Sequence, residues 1–267
     1  MPTAVDSTGW TGDVGIWLKP LAAGLPAGTP GWFTTREGGT SQPPWAGLNL
    51  ALHVGDEASR ALANRDLLAR HLGTTWVNFP QQVHGAGVLV VDEARAGRRR
   101  ITRGGAPGVD ALVTARPGIP IGVLVADCMP VLLSDPIAGV VAAAHAGRRG
   151  LASGVLQSTL EAMAAAGAAP ARVEAVIGPS ICGRCYEVPA EMRDEVDAVV
   201  PGAACETAAG TPGLDLVAGA LRLLRAAGVS ARAAAICTAE DPRFFSYRRD
   251  GVTGRFAGVV MLSGDDD

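Results

Sequence analysis

The sequence predicts an α+β fold with mixed β-sheets flanked by helices. Three observations point to it. Hydrophobic residues make up 48% of the 267 residues and charged residues 18%, the composition of a chain that buries a core. Short β-prone runs bounded by Gly, Pro and Asp crowd the middle of the chain. Several of those runs stand too close together for crossover helices between them, which argues against a doubly wound parallel sheet.

The elements follow in order. Residues up to about Pro44 are rich in Gly, Pro and Thr and read as short strands and loops, with apolar runs at 14–18 and 32–35. Residues 56–72 read as a helix on the spacing of Leu62, Leu67, Leu68 and Leu72. A strand is predicted at 88–92 and an exposed loop at 93–108. The runs 111–114, 121–126, 131–134 and 139–144 are near-continuously apolar and read as buried sheet. A helix is predicted over 150–166 from Leu151, Val155, Leu156, Leu160 and Met163, then a strand at 173–177. Helices follow at 189–199 and 214–227, the second carrying Leu214, Val217, Leu221 and Leu224 on one face. Strands at 233–237 and 257–262 close the pattern, before a frayed tail at 265–267.

Composition also excludes. The net charge of −3 and the single basic run Arg98-Arg99-Arg100 give nucleic-acid binding little electrostatic support. No stretch is apolar for long enough to form a membrane helix, since Pro120, Asp127 and Pro130 interrupt the best one. Met1 to Trp10 lacks the basic-then-apolar order of a secretory signal, so the expected location is the cytoplasm. Five cysteines, odd in number and unevenly spaced, do not read as a disulfide framework. Neither Gly-x-x-x-x-Gly-Lys nor a strand-linked Gly-x-Gly-x-x-Gly is present, so those two kinds of nucleotide site are not expected.

Chemistry-bearing residues are few. Of four histidines, His71 reads as a surface residue at a helix end, while His53, His84 and His145 sit at the ends of apolar runs. Cys128, in Ala126-Asp127-Cys128-Met129-Pro130, also ends a run. Two imidazoles and a thiolate suit zinc, and three protein donors leave a position open for water or substrate. The alternative is a buried structural Cys128 beside two hydrogen-bonded histidines. Cys182-Gly183-Arg184-Cys185 could be half of a zinc knuckle or a redox pair. With no second C-x-x-C in the chain it reads as two ordinary thiols in a tight turn, and Cys205 and Cys237 read as structural. Thr34-Thr35-Arg36-Glu37-Gly38-Gly39-Thr40-Ser41 combines a guanidinium, two glycines and several hydroxyls; it reads equally as an anion site or a hairpin turn. Phe244-Phe245-Ser246-Tyr247-Arg248-Arg249 reads as an aromatic wall with cations, or as a strand and turn with solvent-facing charges.

Several segments, in this order, resemble the YfiH-type family, also labelled laccase-domain or multicopper polyphenol oxidoreductase. They are Gln82-Val83-His84-Gly85, Asp127-Cys128-Met129-Pro130, His145-Ala146-Gly147, Ile177-Gly178-Pro179-Ser180-Ile181 and Phe245-Ser246-Tyr247-Arg248-Arg249-Asp250-Gly251. Leu48-Asn49-Leu50 and His53-Val54-Gly55-Asp56 fit the first third. The resemblance implies one catalytic domain over residues 1–267 and a four-layer α/β/β/α sandwich. It implies Zn²⁺ at His84, Cys128 and His145, with Cu²⁺ as a substitute. It also implies phosphorolysis of adenosine, inosine, guanosine and methylthioadenosine, and deamination of adenosine.

On that reading Cys128 and Asp127 are catalytic, and Arg36, Gly38, Gly39, Asn49 and Arg248 bind phosphate or substrate. The partners are a purine nucleoside and phosphate, with no nucleic acid or membrane, and a monomer is favoured. One departure stands out: the family pattern His-Ala-Gly-Trp-Arg-Gly reads His145-Ala146-Gly147-Arg148-Arg149-Gly150 here. Competing readings are a copper polyphenol oxidase, for which four histidines cannot fill both a mononuclear and a trinuclear centre, a cysteine hydrolase or peptidoglycan-editing factor using Cys128, and a non-catalytic binding module.

Overall fold

The computed structural model describes residues 18–92 and 108–264. Most of the 14–18 run, most of the 93–108 loop with Arg98–Arg100, and the 265–267 tail lie outside the described residues.

Two sheets form the centre. One joins β1 (Leu21–Ala22), β2 (Gly31–Phe33), β12 (Phe256–Val260) and β5 (Ile121–Val125), in that order, with every pairing antiparallel. The other has the order β11 (Ser230–Ala233), β8 (Glu174–Ile177), β6 (Met129–Asp135), β7 (Val140–Ala146), β4 (Ala111–Thr114) and β3 (Val88–Val90). Its outer pairs β11·β8 and β3·β4 are parallel and its inner pairs antiparallel, so it is a mixed sheet. A small ribbon pairs β9 (Ala204–Glu206) with β10 (Pro212–Leu214).

The period-2 alternation of the strands divides the core into layers. In β7, Val140, Ala142 and Ala144 belong to one apolar cluster, while Val141 and Ala143 belong to another. In β6, Val131 and Leu133 part from Leu132 in the same way. The first cluster takes in Leu151 of α2 (Arg148–Ala152), Val155, Leu156 and Met163 of α3 (Val155–Ala165), Val196 of α4 (Ala190–Val199) and Ala220 and Leu224 of α5 (Leu216–Ala226). The second lies between the sheets, joining Leu112, Leu132 and Val176 to Phe33, Ile121, Val123 and Val260. On the far face of the four-stranded sheet, Trp32, Leu124 and Val259 meet Leu48, Leu50 and Leu68, the last from α1 (Ala58–His71). The layers therefore run helices, six-stranded sheet, four-stranded sheet, helix, the α+β sandwich expected. Both faces of the central strands are covered, which is why they read as continuous apolar runs.

The sheets approach closely around Phe33. A Cβ added at Gly178 would lie 2.3 Å from the Phe33 ring, so only glycine fits there.

Two expectations need correction. Residues 150–166 are not one helix: the chain breaks between α2 and α3 at Gly154, whose φ of 88° is a left-handed conformation that glycine adopts without strain. The strand expected at 233–237 runs instead over Ser230–Ala233. Its partner β8 ends at Ile177 before Gly178-Pro179, so the continuous ladder stops at Ala233 and resumes as an isolated bridge between Ser180 and Cys237, with Ala235 turned to φ 53° between them. Among the described residues no helix is long and apolar enough to cross a membrane.

Candidate metal centre and substrate cavity

The connection from β5 to β6 crosses from one sheet to the other, and Asp127 and Cys128 occupy that crossing. Asp127 takes φ 86° there, an uncommon conformation for a residue with a side chain. Its carboxylate anchors the crossing: Oδ1 accepts from the Thr238 hydroxyl at 2.6 Å and Oδ2 from the Arg248 backbone N–H at 2.7 Å. His145 lies near the end of β7, and His84 lies in the loop before β3 with φ 60°. Gln82 fixes that loop. Its amide donates to the Leu124 carbonyl and accepts from the Leu124 N–H, both at 2.8 Å, imitating a strand pairing against β5.

These elements bring three donors together. Ligand atoms of His84, Cys128 and His145 all lie within 4.8 Å of one another. His84 Nε2 and Cys128 Sγ are 3.9 Å apart, close to the about 3.6 Å separating N and S bound to one tetrahedral zinc. The two imidazoles meet edge to face, with ring centroids 4.8 Å apart. Gly147 keeps the space open, since a Cβ there would sit 2.7 Å from Cys128 Sγ.

Asp110 supports both histidines. Its fully buried carboxylate accepts the backbone N–H groups of Val83, His84 and Gly85 at 3.2, 2.9 and 2.7 Å, and pairs with His145 Nδ1 at 2.8 Å. A ligating histidine commonly gives its second nitrogen to a carboxylate in this way, which fixes the ring and its tautomer.

Burial disfavours charge on Cys128, but the His145 charge and the hydrogen bonds of His145 and His84 outweigh it and lower the thiol to about 6. Burial also opposes charge on His145, and the Cys128 charge with the Asp110 hydrogen bond raises that imidazole to about 9. A poised thiolate, an imidazole oriented by a carboxylate and a second imidazole form a donor set that fits a metal ion, with a cation able to replace the shared proton.

The cluster lies in a cavity of about 620 Å³ whose lining includes Asp127, Arg148, Arg248 and Arg255. That volume is in the range of small-molecule sites. Tyr186 and Tyr247 form aromatic wall, and the Arg248 guanidinium sits 5.1 Å from the Tyr186 ring centroid. Arg255 donates to the carbonyls of Thr253 and Gly254; burial lowers it from its usual value, against the pull of Cys128 and Asp127. His53, also in the lining, is pushed down by burial and by the charges of Arg255 and Arg65.

Four residues expected at the substrate lie outside this lining. Arg36 donates to the Ala46 carbonyl at 3.0 Å, approaches Asp250 at 3.9 Å and lies 4.8 Å from the Phe245 ring centroid. Gly38 and Gly39 fold against the 46–48 segment: a Cβ on Gly39 would stand 2.6 Å from the Gly47 carbonyl oxygen. Asn49 is fully buried and binds Asp56, Ala51 and the Arg255 N–H, so it underpins Arg255 from behind. The aromatic run divides. Phe244 and Phe245 are core residues against Phe256 and Val125, whereas Tyr247 and Arg248 begin the short helix α6 (Tyr247–Asp250) at the cavity. His71 is half-buried in the last turn of α1.

Asp110, Gln82 and Arg255 were not singled out by residue type, whereas His53 stood out as a histidine at the end of an apolar run. Gln82 and Arg255 fall inside or beside recognisable motifs, but Asp110 carries no local signal, being 35 residues from the histidine it orients.

A second cluster lies nearby. Donor atoms of Cys182, Cys185, Cys237 and Glu240 are also within 4.8 Å of one another. Burial and the Cys237 sulfur push the Cys182 thiol up, and burial with the Cys182 and Cys237 sulfurs pushes Cys185 up.

Comparison with known proteins agrees with this architecture. Residues 30–263 match the family model described as multi-copper polyphenol oxidoreductase laccase. The chain is 52% identical over 236 residues to a purine nucleoside phosphorylase of Streptomyces griseus, covering 86% of this chain and 93% of that one. It superposes on the crystal structure of YlmD from Geobacillus stearothermophilus with a TM-score of 0.84 at 33% identity, covering 96% and 99% of the two chains. A Neisseria meningitidis protein gives a TM-score of 0.81 at 37% identity, over 92% and 99%. With the family model matched over most of the chain and relatives above 30% identity covered almost end to end, the chain belongs to the YfiH-type, or multi-copper polyphenol oxidoreductase laccase, family.

Proposed function

We propose that this chain is a zinc-dependent purine nucleoside phosphorylase that converts adenosine, inosine, guanosine or methylthioadenosine and phosphate to free base and ribose 1-phosphate, with adenosine deamination as a second activity. The observation that carries it is the His84, Cys128 and His145 cluster opening into a cavity with three arginines in its lining. The phosphorylase names of relatives such as the S. griseus protein support the substrate class. Zinc rather than copper is the ion this reading requires: it would supply a Lewis acid with one position left over when three protein donors are used.

In this reading Arg148, Arg248 and Arg255 form the cationic wall. They hold phosphate and offset its charge as it approaches the sugar. One phosphate oxygen forms a bond to C1′ while the C1′–N9 bond breaks, its electron pair leaving with the purine, which takes up a proton. Tyr186 and Tyr247 offer faces against which a purine can pack. Asp127 acts as a positioning residue, because both its oxygens are engaged by Thr238 and Arg248. Cys128 serves as a metal donor, and Asn49 contributes through its bond to Arg255. Arg36 stacks on Phe245 and, with the Gly38-Gly39 turn, lies outside the cavity lining, so phosphate binding falls to the three lining arginines in this reading. The three donors and the cationic wall converge on one cavity, which supports reading residues 1–267 as a single catalytic domain.

Release of hypoxanthine from inosine tests the proposal. It should require phosphate and vanish in His84→Ala; phosphate-independent release, or full activity in that variant, would sink it. Metal analysis of protein purified without added copper separates zinc from the copper polyphenol oxidase reading. Rapid alkylation of Cys128 in the zinc-loaded protein would favour a cysteine hydrolase instead.

A further inference from the structure

We propose that Cys182, Cys185, Cys237 and Glu240 form a second, structural metal site for a thiophilic divalent cation such as zinc. The proposal rests on residues separate from the cluster at His84.

The geometry has three parts. First, four donors converge: three sulfurs and one carboxylate oxygen lie within 4.8 Å of one another. Sulfurs on one tetrahedral zinc stand about 3.8 Å apart, given Zn–S bonds of about 2.3 Å, so small side-chain rotations close the shell. Second, the donors arrive in pairs on two tight turns. The Cys185 N–H donates to the Cys182 carbonyl at 3.0 Å, and the Glu240 N–H donates to the Cys237 carbonyl at 3.2 Å. Each turn presents donors at positions i and i+3, the C-x-x-C spacing of a zinc knuckle, with C-x-x-E as the second half. Third, the backbone sets the register of the two turns. Ser180 and Cys237 form a parallel bridge, and the Thr238 N–H donates to the Ser180 carbonyl at 3.1 Å. The Cys182 N–H points at Cys237 Sγ from 3.4 Å, the outer support a bound thiolate uses. Four protein donors make a closed shell, the mark of a structural rather than a catalytic site.

A disulfide is the competing use of these sulfurs. It would employ only two of the three and give Glu240 no role. A cation uses all four groups and balances the carboxylate beside Cys185, which stands 3.5 Å from it.

The site has a purpose in the fold. Its first turn runs directly between Ile181 and Tyr186, both in the cavity lining. Its second turn carries Thr238, which bonds Asp127, and whose carbonyl accepts from Arg249 at 2.7 Å. A cation here would staple together the two loops that hold one wall of the cavity.

The test uses the full chain, loaded with Zn²⁺ alone or Co²⁺ alone in reducing buffer. Native mass spectrometry should show two zinc ions per chain. His84→Ala should keep one, and a Cys182→Ser, Cys237→Ser double variant should also keep one. Cobalt in His84→Ala should give the stronger thiolate-to-metal absorption of a three-sulfur site, and cobalt in the double variant the weaker one of a one-sulfur site. Should the double variant not fold, alkylation of the zinc-loaded His84→Ala protein decides. Cys182, Cys185 and Cys237 should be protected relative to the same protein stripped by chelator, while Cys205 reacts equally in both. A single zinc per saturated wild-type chain would overturn the proposal. So would thiols unprotected by zinc, or a mass lower by two hydrogens mapped to a Cys182 disulfide in place of the metal.

Discussion

The carboxylate of Asp110 sits 2.8 Å from Nδ1 of His145 while holding the loop that carries His84 through three backbone N–H groups. One buried side chain thus sets the direction of one imidazole and the position of the other. Replacing it with asparagine keeps the volume but removes the charge and half the acceptor capacity. Asp110→Asn should bind zinc about 10–100-fold more weakly, measured by competition with a chromophoric chelator. An unchanged affinity would show that the two imidazoles are held by other means.

Gly147 should be intolerant of a methyl group for a local reason. A Cβ would stand 2.7 Å from Cys128 Sγ and 3.2 Å from His84 Cδ2. Gly147→Ala is expected to lower zinc content and phosphorolysis together while leaving far-UV circular dichroism unchanged. Normal zinc content in that variant would show that the donors can move aside.

Gly178 should behave in the opposite way. Its added Cβ would meet Phe33 in the layer between the sheets. Gly178→Ala should lower stability to urea by about 1–3 kcal/mol, with zinc binding by the folded fraction retained. A midpoint matching the parent would contradict the tight inter-sheet contact.

Arg148 lines the cavity where the family pattern has tryptophan. Restoring an indole adds a stacking face and removes a charge. Arg148→Trp should lower the KM for inosine by about 3–10-fold, the worth of one aromatic contact, and raise the KM for phosphate. Unchanged values for both substrates would place this side chain outside the working part of the cavity.

Asp135 gives a pH prediction. Its carboxylate is fully buried, accepts N–H groups from Ile137, Ala138 and Ala169, and pairs with Arg172 at 2.9 Å. Burial opposes its charge, but the Ala138 and Arg172 hydrogen bonds prevail and hold it below its ordinary value of 3.8. A carboxylate with a lowered folded-state value stabilises the fold above its unfolded value and loses that contribution as pH falls through the folded one. Asp135→Asn should therefore cost about 2 kcal/mol at neutral pH, and the difference from the parent should shrink as pH falls below 3.8 toward the lowered folded-state value. A gap in urea denaturation that stays constant with pH would refute this account.

Much of the fold was legible because the central strands are covered on both faces. Val131, Leu132 and Leu133 are all apolar since each has a partner layer, and that continuity marks a buried sheet before any contact is known. The break at Gly154 was not legible, because a lone glycine in a helical pattern is usually tolerated; here the chain turns where α2 leaves the centre and α3 crosses the six-stranded sheet.

By itself the sequence determined the layered α+β class, the family, and three metal-compatible residues at the ends of apolar runs. Residue chemistry and local periodicity are properties of short segments, so they survive without a structure. Only the tertiary structure decided which of these residues meet. Strand order and register bring Asp110 under His145, seat Arg255 in the cavity on Asn49, and leave Arg36 on Phe245, outside the cavity lining. The same register lays Cys237 and Glu240 against the Cys182–Cys185 turn, 55 residues away in the chain, where the sequence had shown two ordinary thiols. Contacts of that range depend on how whole sheets pack, and no local propensity encodes them.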